Sequence, residues 1–275
     1  MSTFVIKVIA MITMFCDHLS RAIYGSCETT FLNYIGRISF LLFCFQIVLG
    51  YKKTKCLGKY LLRILLFGII SQIPYSLFFE SIGYQKTLCV GFTLFLGLLS
   101  ISIINFHKDK NNKITFRDNH YNVFLFDSFQ SFFLFLAKCL FIFFICFIVN
   151  NSKNIFGYHI EYNYQAILFM ISIYLFYPFG NKYNICKVLL YIFSVILFAF
   201  VEAQMWFGVN GFQLPSFYTS RDFTVYLFIY IFCIIGGLLP LLYNGKRGQS
   251  IKWFTYLFYP VHLIILYLFY LLIYS

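Results

Sequence analysis

Residues 7–21 read KVIAMITMFCDHLSR, an apolar stretch that contains Lys7, Asp17, His18 and Arg21. Ionisable side chains are costly inside a membrane, so their presence in one apolar run marks a candidate functional site. On an α-helix, His18 falls within about 20° of Lys7 around the axis and about 16 Å from it along the axis. Asp17 precedes Arg21 by four residues, which brings these two side chains within reach of an ion pair.

The composition of the whole chain is that of a helical membrane protein. Of its 275 residues, 61% are hydrophobic and 11% are charged, and the mean hydropathy is +0.81. Soluble domains carry about 25% charged residues. The apolar runs are also longer than the roughly ten-residue alternating segments of a membrane β-barrel. We therefore predict an all-α polytopic membrane protein with one domain, residues 1–275, and no cleavable signal peptide.

Nine apolar runs are long enough to predict transmembrane helices. Their approximate bounds are 4–24, 31–50, 60–79, 88–106, 129–149, 163–180, 185–205, 223–243 and 253–274. Counted with Lys187 at the start of the seventh run, the loops after the second, fourth, sixth and eighth runs hold thirteen Lys and Arg residues, whereas the alternate loops hold three. Because Lys and Arg accumulate in cytoplasmic loops, we expect a cytoplasmic N-terminus and an extracytoplasmic C-terminus. The net charge of +12 is attributed to those loops rather than to a nucleic-acid partner.

This topology places the other polar residues at two levels. Lys7, Arg63, Lys246 and Arg247 are expected at the cytoplasmic side, where they would suit the phosphates of a ligand. For Lys246 and Arg247 taken alone, the favoured interpretation is the ordinary accumulation of positive charge in cytoplasmic loops. The outer half is expected to hold Asp17, His18, Arg21, Arg37, Glu161 and Glu202.

Asp17 and His18 suit general base chemistry, because histidine titrates near neutrality and a neighbouring carboxylate can set its tautomer. A buried salt bridge that fixes helix packing would produce the same spacing. His262 follows Pro260, so it either faces a cavity beside a kinked helix or is a hydrogen-bonded structural residue. Lys138 also lies within a predicted span, and neither it nor Glu202 has a partner that the sequence identifies.

The nine cysteines show no zinc-type spacing, and no metal is expected. Most of them lie inside apolar runs and are predicted to be small core residues. Cys27 and Cys89 are both placed near the outer surface, where a disulfide between them is an open alternative.

Four stretches resemble the TraX family, which is named for the enzyme that acetylates the N-terminus of F-type conjugative pilin. They are IKVIAMITMFCDHL (6–19), YIGRISFLLFCFQIVLGYKKT (34–54), KYLLRILLFGIISQIPYSL (59–77) and LYNGKRGQSIKWFTYLFYPVHLIIL (242–266). The middle, about 105–240, matches weakly, although Glu161 in EYNYQAIL is similar to an acidic position of the family. The ten residues between Lys7 and His18 also resemble the basic-x10-His motif of a wider superfamily of integral-membrane acyltransferases.

The resemblance implies a bacterial plasma-membrane enzyme that moves an acetyl group from cytoplasmic acetyl-CoA to a peptide N-terminus or another envelope or secreted acceptor at the outer face. It implies that His18, oriented by Asp17, is the base or the covalent nucleophile, and that Arg37 or His262 stabilises the oxyanion. The implied substrate-binding residues are Lys7, Arg21, Arg63, Gln72, Glu161, Lys246, Arg247, Tyr259 and His262.

Two other functional classes are compatible with the same composition and polar residues. A membrane transporter or channel would line a route with these polar residues, although the inverted repeats common in transporters are not evident. A non-catalytic scaffold would keep the packing residues but would not need a basic mouth that leads to His18. Binding of acetyl-CoA separates the three classes.

Overall fold

The computed structural model describes residues 1–25, 30–108, 114–115, 129–179, 184–206 and 220–274. Within these ranges the chain is almost entirely helical. The α-helices are α1 (Thr3–Tyr24), α2 (Phe31–Lys53), α3 (Leu57–Ser81), α4 (Val90–Ile104), α5 (Phe129–Asn150), α6 (Ser152–Phe156), α7 (Asn163–Phe176), α8 (Ile185–Trp206), α9 (Ser220–Leu238) and α10 (Lys252–Tyr274). A short 3₁₀-helix, Leu239–Leu242, follows α9.

The described residues also form four strands of two residues each. They are β1 (Thr87–Leu88), β2 (His107–Lys108), β3 (Ile114–Thr115) and β4 (His159–Ile160). β1 pairs in parallel with β4, and β2 pairs antiparallel with β3. The β1–β4 pair therefore ties the connection between α3 and α4 to the start of α7.

The chain is a multi-pass membrane protein, as its composition predicts. In the ranges described, seven helices are long and apolar enough to cross a membrane: α1, α2, α3, α5, α8, α9 and α10. The predicted runs 88–106 and 163–180 form the shorter helices α4 and α7, of 15 and 14 residues. At 1.5 Å per residue each is about 22 Å long, less than the roughly 30 Å of a bilayer core.

Helix α2 is the centre of the bundle, and it packs against α1, α4, α7 and α9. Gly36 allows α1 to approach closely, because a Cβ atom at this position would lie 2.4 Å from the Cβ of Asp17. Helix α10 packs against both α1 and α3, which brings the C-terminal helix beside the first one. The close contact at Gly36 thus sets the level of Asp17 against α2.

The start of α1 is held by the connection between α9 and α10. Thr3 N–H donates to the Lys246 carbonyl (3.0 Å), and Phe4 N–H donates to the Arg247 carbonyl (3.2 Å). Lys53 Nζ, at the end of α2, donates to the Tyr243 hydroxyl (2.7 Å). These bonds gather the cationic ends of α1, α2 and α10 at one end of the bundle.

The structure gives hydrogen-bond partners to Lys138 and Cys89, two residues whose roles the sequence leaves open. Lys138 on α5 donates to the carbonyls of Ile104 and Phe106, so it caps the C-terminal end of α4. Cys89 is buried, with its Sγ donating to the Gly68 carbonyl (3.4 Å). Cys27 lies outside the described residues, and its pairing with Cys89 stays a prediction.

Candidate active site

The centre of the site is a pair of histidines from the first and last helices. His18 Nδ1 lies 2.8 Å from His262 Nε2, and the angle between the planes of the two rings is only 1°. Their centroids are 5.0 Å apart, which shows that the rings meet nitrogen to nitrogen rather than face to face. Both side chains are buried, at 6% and 3% exposure. Two residues separated by 244 positions therefore form one polar unit inside the bundle.

The hydrogen bonds around this pair assign its protons. His262 Nδ1 lies 2.7 Å from the Phe258 carbonyl, which only accepts, so His262 Nδ1 carries hydrogen. In neutral His262, Nε2 is then the acceptor, and His18 Nδ1 must be its donor. The remaining nitrogen, His18 Nε2, is left with a lone pair. His18 is thus held in the tautomer that a base or nucleophile requires.

Aromatic rings enclose His18 on the other sides. The Phe79 ring lies edge-on at 5.4 Å between centroids, and the Phe78 and Tyr259 rings lie at 6.4 Å and 6.2 Å. An apolar enclosure excludes water and strengthens every electrostatic interaction inside it.

Asp17 does not take the orienting role that its position beside His18 suggests. Its Oδ1 accepts from Arg21 Nε (3.1 Å) and Asn33 Nδ2 (2.9 Å), and its Oδ2 accepts from Arg37 (3.3 Å). The Asp17–Arg21 pair is the predicted ion pair, and it is confirmed. Asp17 and His18 are adjacent on a helix and point in directions about 100° apart, so the Asp17 carboxylate is directed away from the His18 ring. The hydrogen-bond partner of His18 Nδ1 is His262 instead.

Arg37 joins Asp17 to the opposite side of the bundle. Its guanidinium donates to Glu202 on α8 (3.4 Å) as well as to Asp17, and it lies 5.7 Å from the Tyr162 ring centroid. Glu202 also accepts from Gln165 Nε2 on α7 (3.2 Å). Glu202 thereby gains the partners that the sequence did not identify, and Arg37 is bound to two carboxylates instead of facing an open site.

A cavity of about 430 Å³ leads toward the histidines from the cationic end. Five cationic side chains line it: Lys7, Lys53, Arg63, Arg247 and Lys252. Its other lining residues include Met14, one helical turn before His18, and Tyr259, whose ring neighbours that of His18. The cavity therefore runs from a basic mouth to Tyr259, whose ring lies 6.2 Å from that of His18, although neither His18 nor His262 lines it.

Comparison with known proteins agrees with the family resemblance of the four stretches quoted from the sequence. A family model described as TraX protein matches residues 2–270. The chain belongs to the TraX family. Over 112 residues it is also 38% identical to the probable fimbrial assembly protein FimC, serogroup H1, of Dichelobacter nodosus. That alignment covers 37% of this chain and 46% of the relative, so the match spans about half of the relative's length. No solved structure matches the chain.

Three cavity residues of this TraX-family protein were not singled out by the sequence. Lys53 and Lys252 were indistinguishable from other loop cations, because only packing shows which of them face a common space. Gln46 on α2 also lines the cavity, and its buried Nε2 has no hydrogen-bond partner among the described residues. The available signal was a glutamine within an apolar run, since a buried amide there needs a partner.

Of the nine predicted substrate-binding residues, five do not line this cavity: Arg21, Gln72, Glu161, Lys246 and His262. Gln72 donates to Ser76 and to the Thr87 carbonyl, and it accepts from Cys89 N–H, so its amide joins β1 and the start of α4 to α3. The Lys246 side chain is exposed and is not among the residues that line the cavity, although its carbonyl holds Thr3.

Glu161 lies between β4 and α7 at the opposite end from the cationic mouth. Its N–H donates to the Leu88 carbonyl (3.1 Å), and its carbonyl accepts from Thr93. The next two residues, Tyr162 and Asn163, have φ of 60° and 45°, a left-handed conformation that costs about 1–3 kcal/mol for each non-glycine residue. This strained turn places Tyr162 under Arg37.

The side-chain carboxyl group of Glu161 is buried and has a raised pKa. Its Oε2 is buried and has no hydrogen-bond partner among the residues that the structure describes. Burial raises the pKa of Glu161 to about 7, although Arg37 and Arg21 favour its charged form. This makes Glu161 a group that titrates near neutral pH.

Replacement of Glu161 by glutamine should change how the free energy of unfolding depends on pH. The unfolded state releases this proton near pH 4.3, before the folded state does. The wild type therefore loses stability as the pH rises from about 4.5 through 7, and Glu161→Gln removes this loss. Thermal unfolding in detergent at pH 5 and pH 8 measures the effect, with exposed Glu80→Gln as the control. An equal wild-type-to-variant difference at both pH values would contradict the expectation.

Proposed function

We propose that this protein is a membrane acetyltransferase that moves an acetyl group from cytoplasmic acetyl-CoA to an acceptor at the outer face of a bacterial plasma membrane. The observation that carries the proposal is the cavity that begins among five cationic side chains and reaches Tyr259, whose ring neighbours both His18 and His262. Family membership supports it independently.

The proposed topology has nine membrane passes with the N-terminus in the cytoplasm. The thirteen-to-three division of loop Lys and Arg residues supports it. The contact of Lys52 with Phe179 (3.7 Å from the ring centroid) supports it too, because it places the ends of α2 and α7 at one side. The short helices α4 and α7 complete the alternation of passes.

The donor is proposed to enter from the cationic mouth. Its phosphates suit Lys7, Arg63 and Arg247, which line this mouth. The thin pantetheine arm follows the apolar part of the cavity over the distance of about 16 Å that separates Lys7 from His18 along α1. Gln46 lies along this path, and its unpaired Nε2 would donate to an amide carbonyl of the arm.

His18 Nε2 then takes the proton of the acceptor amine or hydroxyl. The acceptor nitrogen or oxygen attacks the thioester carbonyl carbon, the carbon–sulfur bond breaks, and the proton passes from His18 to the departing sulfur. His262 Nε2 accepts from His18 Nδ1 throughout and so stabilises the transient imidazolium. Tyr259 lines the cavity beside His18, which suits its hydroxyl to donate to the oxyanion. An acetyl-His18 intermediate is the covalent form of the same chemistry.

The acceptor is proposed to be a pilin-type or other envelope peptide. The family is named for a pilin acetylase, and the relative of Dichelobacter nodosus is named as a probable fimbrial assembly protein. Both names suit an acceptor that is processed at the membrane before it is assembled outside.

Binding of acetyl-CoA to the purified protein tests the donor site. The double variant Lys7→Gln/Lys252→Gln should weaken binding by about 10–100-fold, because each cation contributes a charge-assisted bond to phosphate. Isothermal titration in detergent measures it, and Lys86→Gln/Lys153→Gln is the matched control, with two cations removed away from the cavity. Unchanged affinity in the cavity variant would place the donor elsewhere. If the wild type neither binds acetyl-CoA nor transfers acetyl, the proposed function is wrong.

A further inference from the structure

A second groove lies between α7 and α8, apart from the cavity that leads to His18. Its volume is about 310 Å³. The walls are largely apolar: Leu168, Phe169, Leu197, Phe198, Val201 and Met205. Leu168 and Leu197 are 48% and 40% exposed, so the groove opens on the outside of the bundle, where a membrane-spanning protein meets lipid. A groove of this kind accepts an apolar chain.

One end of the groove carries a buried polar group that needs a partner. Gln165 lines the groove and is 6% exposed, and its Nε2 is committed to Glu202 (3.2 Å). A carboxylate only accepts hydrogen bonds, so the amide cannot be turned around, and Oε1 is the remaining atom. Oε1 has no hydrogen-bond partner among the described residues. The missing partner must therefore be a donor, either N–H or O–H.

Both serines of the groove already have partners, and the remaining polar residue, Tyr164, lies next to Gln165 at the same end. Ser172 Oγ donates to the Phe169 carbonyl, and Ser194 Oγ donates to the Tyr191 carbonyl, each over 2.7 Å. These bonds leave the deeper part of the groove without a free hydroxyl donor. The polar requirement is thus confined to the Gln165 end.

The position of Gln165 along α7 gives the groove a direction. Gln165 is the third residue of α7, close to the end of the helix, whereas Ser172 lies about 10 Å further along the axis. Helix ends lie near the membrane surface, and apolar chains extend from there toward the bilayer centre. The order of polar end and apolar groove matches that of a phospholipid.

We propose that this groove binds one phospholipid whose headgroup donates a hydrogen bond to Gln165 Oε1, with an acyl chain along α7 and α8. Phosphatidylethanolamine and phosphatidylglycerol carry the required N–H or O–H group. Phosphatidylcholine has neither, although it has the same acyl chains and the same net charge as phosphatidylethanolamine. The groove should therefore discriminate between these two zwitterionic lipids.

Native mass spectrometry of the full-length protein in detergent tests this site, with palmitoyl-oleoyl phosphatidylethanolamine and phosphatidylcholine added at equal concentration. One bound phosphatidylethanolamine should be retained at least about fivefold more than phosphatidylcholine, since a hydrogen bond to a buried unpaired acceptor favours the former. Gln165→Met should abolish the preference. Leu168→Trp, which fills the groove and leaves Gln165 unchanged, should remove the bound lipid.

Leu189→Trp is the matched control, because Leu189 is an exposed leucine of α8 outside the groove. It should retain the lipid and the preference. Equal retention of the two lipids by the wild type would overturn the proposal, as would unchanged binding in Leu168→Trp. Absence of any retained lipid would mean that water alone satisfies Gln165, and this too would overturn it.

Discussion

Replacement of His18 by glutamine is expected to lower the kcat of acetyl transfer by about 10²–10⁴-fold, the usual contribution of a positioned acid–base group. Glutamine retains a donor for His262 Nε2 but supplies no lone pair of comparable basicity at the position of His18 Nε2. Transfer of isotopically labelled acetyl from acetyl-CoA to membrane and secreted peptides, followed by mass spectrometry, measures the loss. Preserved acetyl-CoA binding in the same variant shows that the donor site is intact.

His262→Gln separates positioning from direct chemistry. If His262 acts by holding His18 in one tautomer, this variant lowers kcat and alters its pH profile, while KM for acetyl-CoA stays near that of the wild type. His159→Gln is the matched control, because His159 is exposed and lies in β4, away from the pair. Full transfer by well-folded His18→Gln protein would remove His18 from the mechanism.

Arg37→Leu is expected to have the largest effect on stability. Arg37 is 7% exposed and joins Asp17 to Glu202, so its removal leaves two buried carboxylates without their shared cation. Breaking a buried ion pair by deleting one member costs about 3–5 kcal/mol. Unfolding by SDS in mixed micelles measures the change in the free energy of unfolding.

Two further variants make that result interpretable. Arg63→Leu removes a half-buried arginine at the cavity mouth, where it donates to the Lys59 carbonyl, and should cost less than about 1 kcal/mol. Glu202→Gln in the Arg37→Leu background should recover part of the lost stability, because it removes one uncompensated charge. A cost for Arg37→Leu no larger than that for Arg63→Leu would contradict the structural role of the network.

Much of the site is predictable from local pattern. The i, i+4 spacing of Asp17 and Arg21 predicts an ion pair because a helix places such residues on neighbouring turns, and the pair forms. The loop charges place Lys7, Arg63 and Arg247 at one end, and these three do line a common cavity. In each case the inference needs only the geometry of one helix or the alternation of spans.

The expected role of Asp17 illustrates the limit of such inference. Adjacency in sequence suggested that Asp17 orients His18, whereas adjacent side chains on a helix diverge by about 100°. Asp17 instead meets Asn33 and Arg37 on α2, at a distance that Gly36 makes short. The partner of a buried carboxylate depends on which helix packs beside it. The periodicity of α1 contains no information about the side chains that α2 brings to it.

The sequence by itself determined the membrane class, the apolar runs and the polar face that carries Lys7 and His18, because hydrophobicity and helical period are local properties. Only the tertiary structure decided that His262 holds His18, that Glu202 meets Arg37, and that five cations share one cavity. These contacts join residues up to 244 positions apart. Their physical cause is the packing of α10 and α2 against α1, which sets distance and hydrogen-bond direction together.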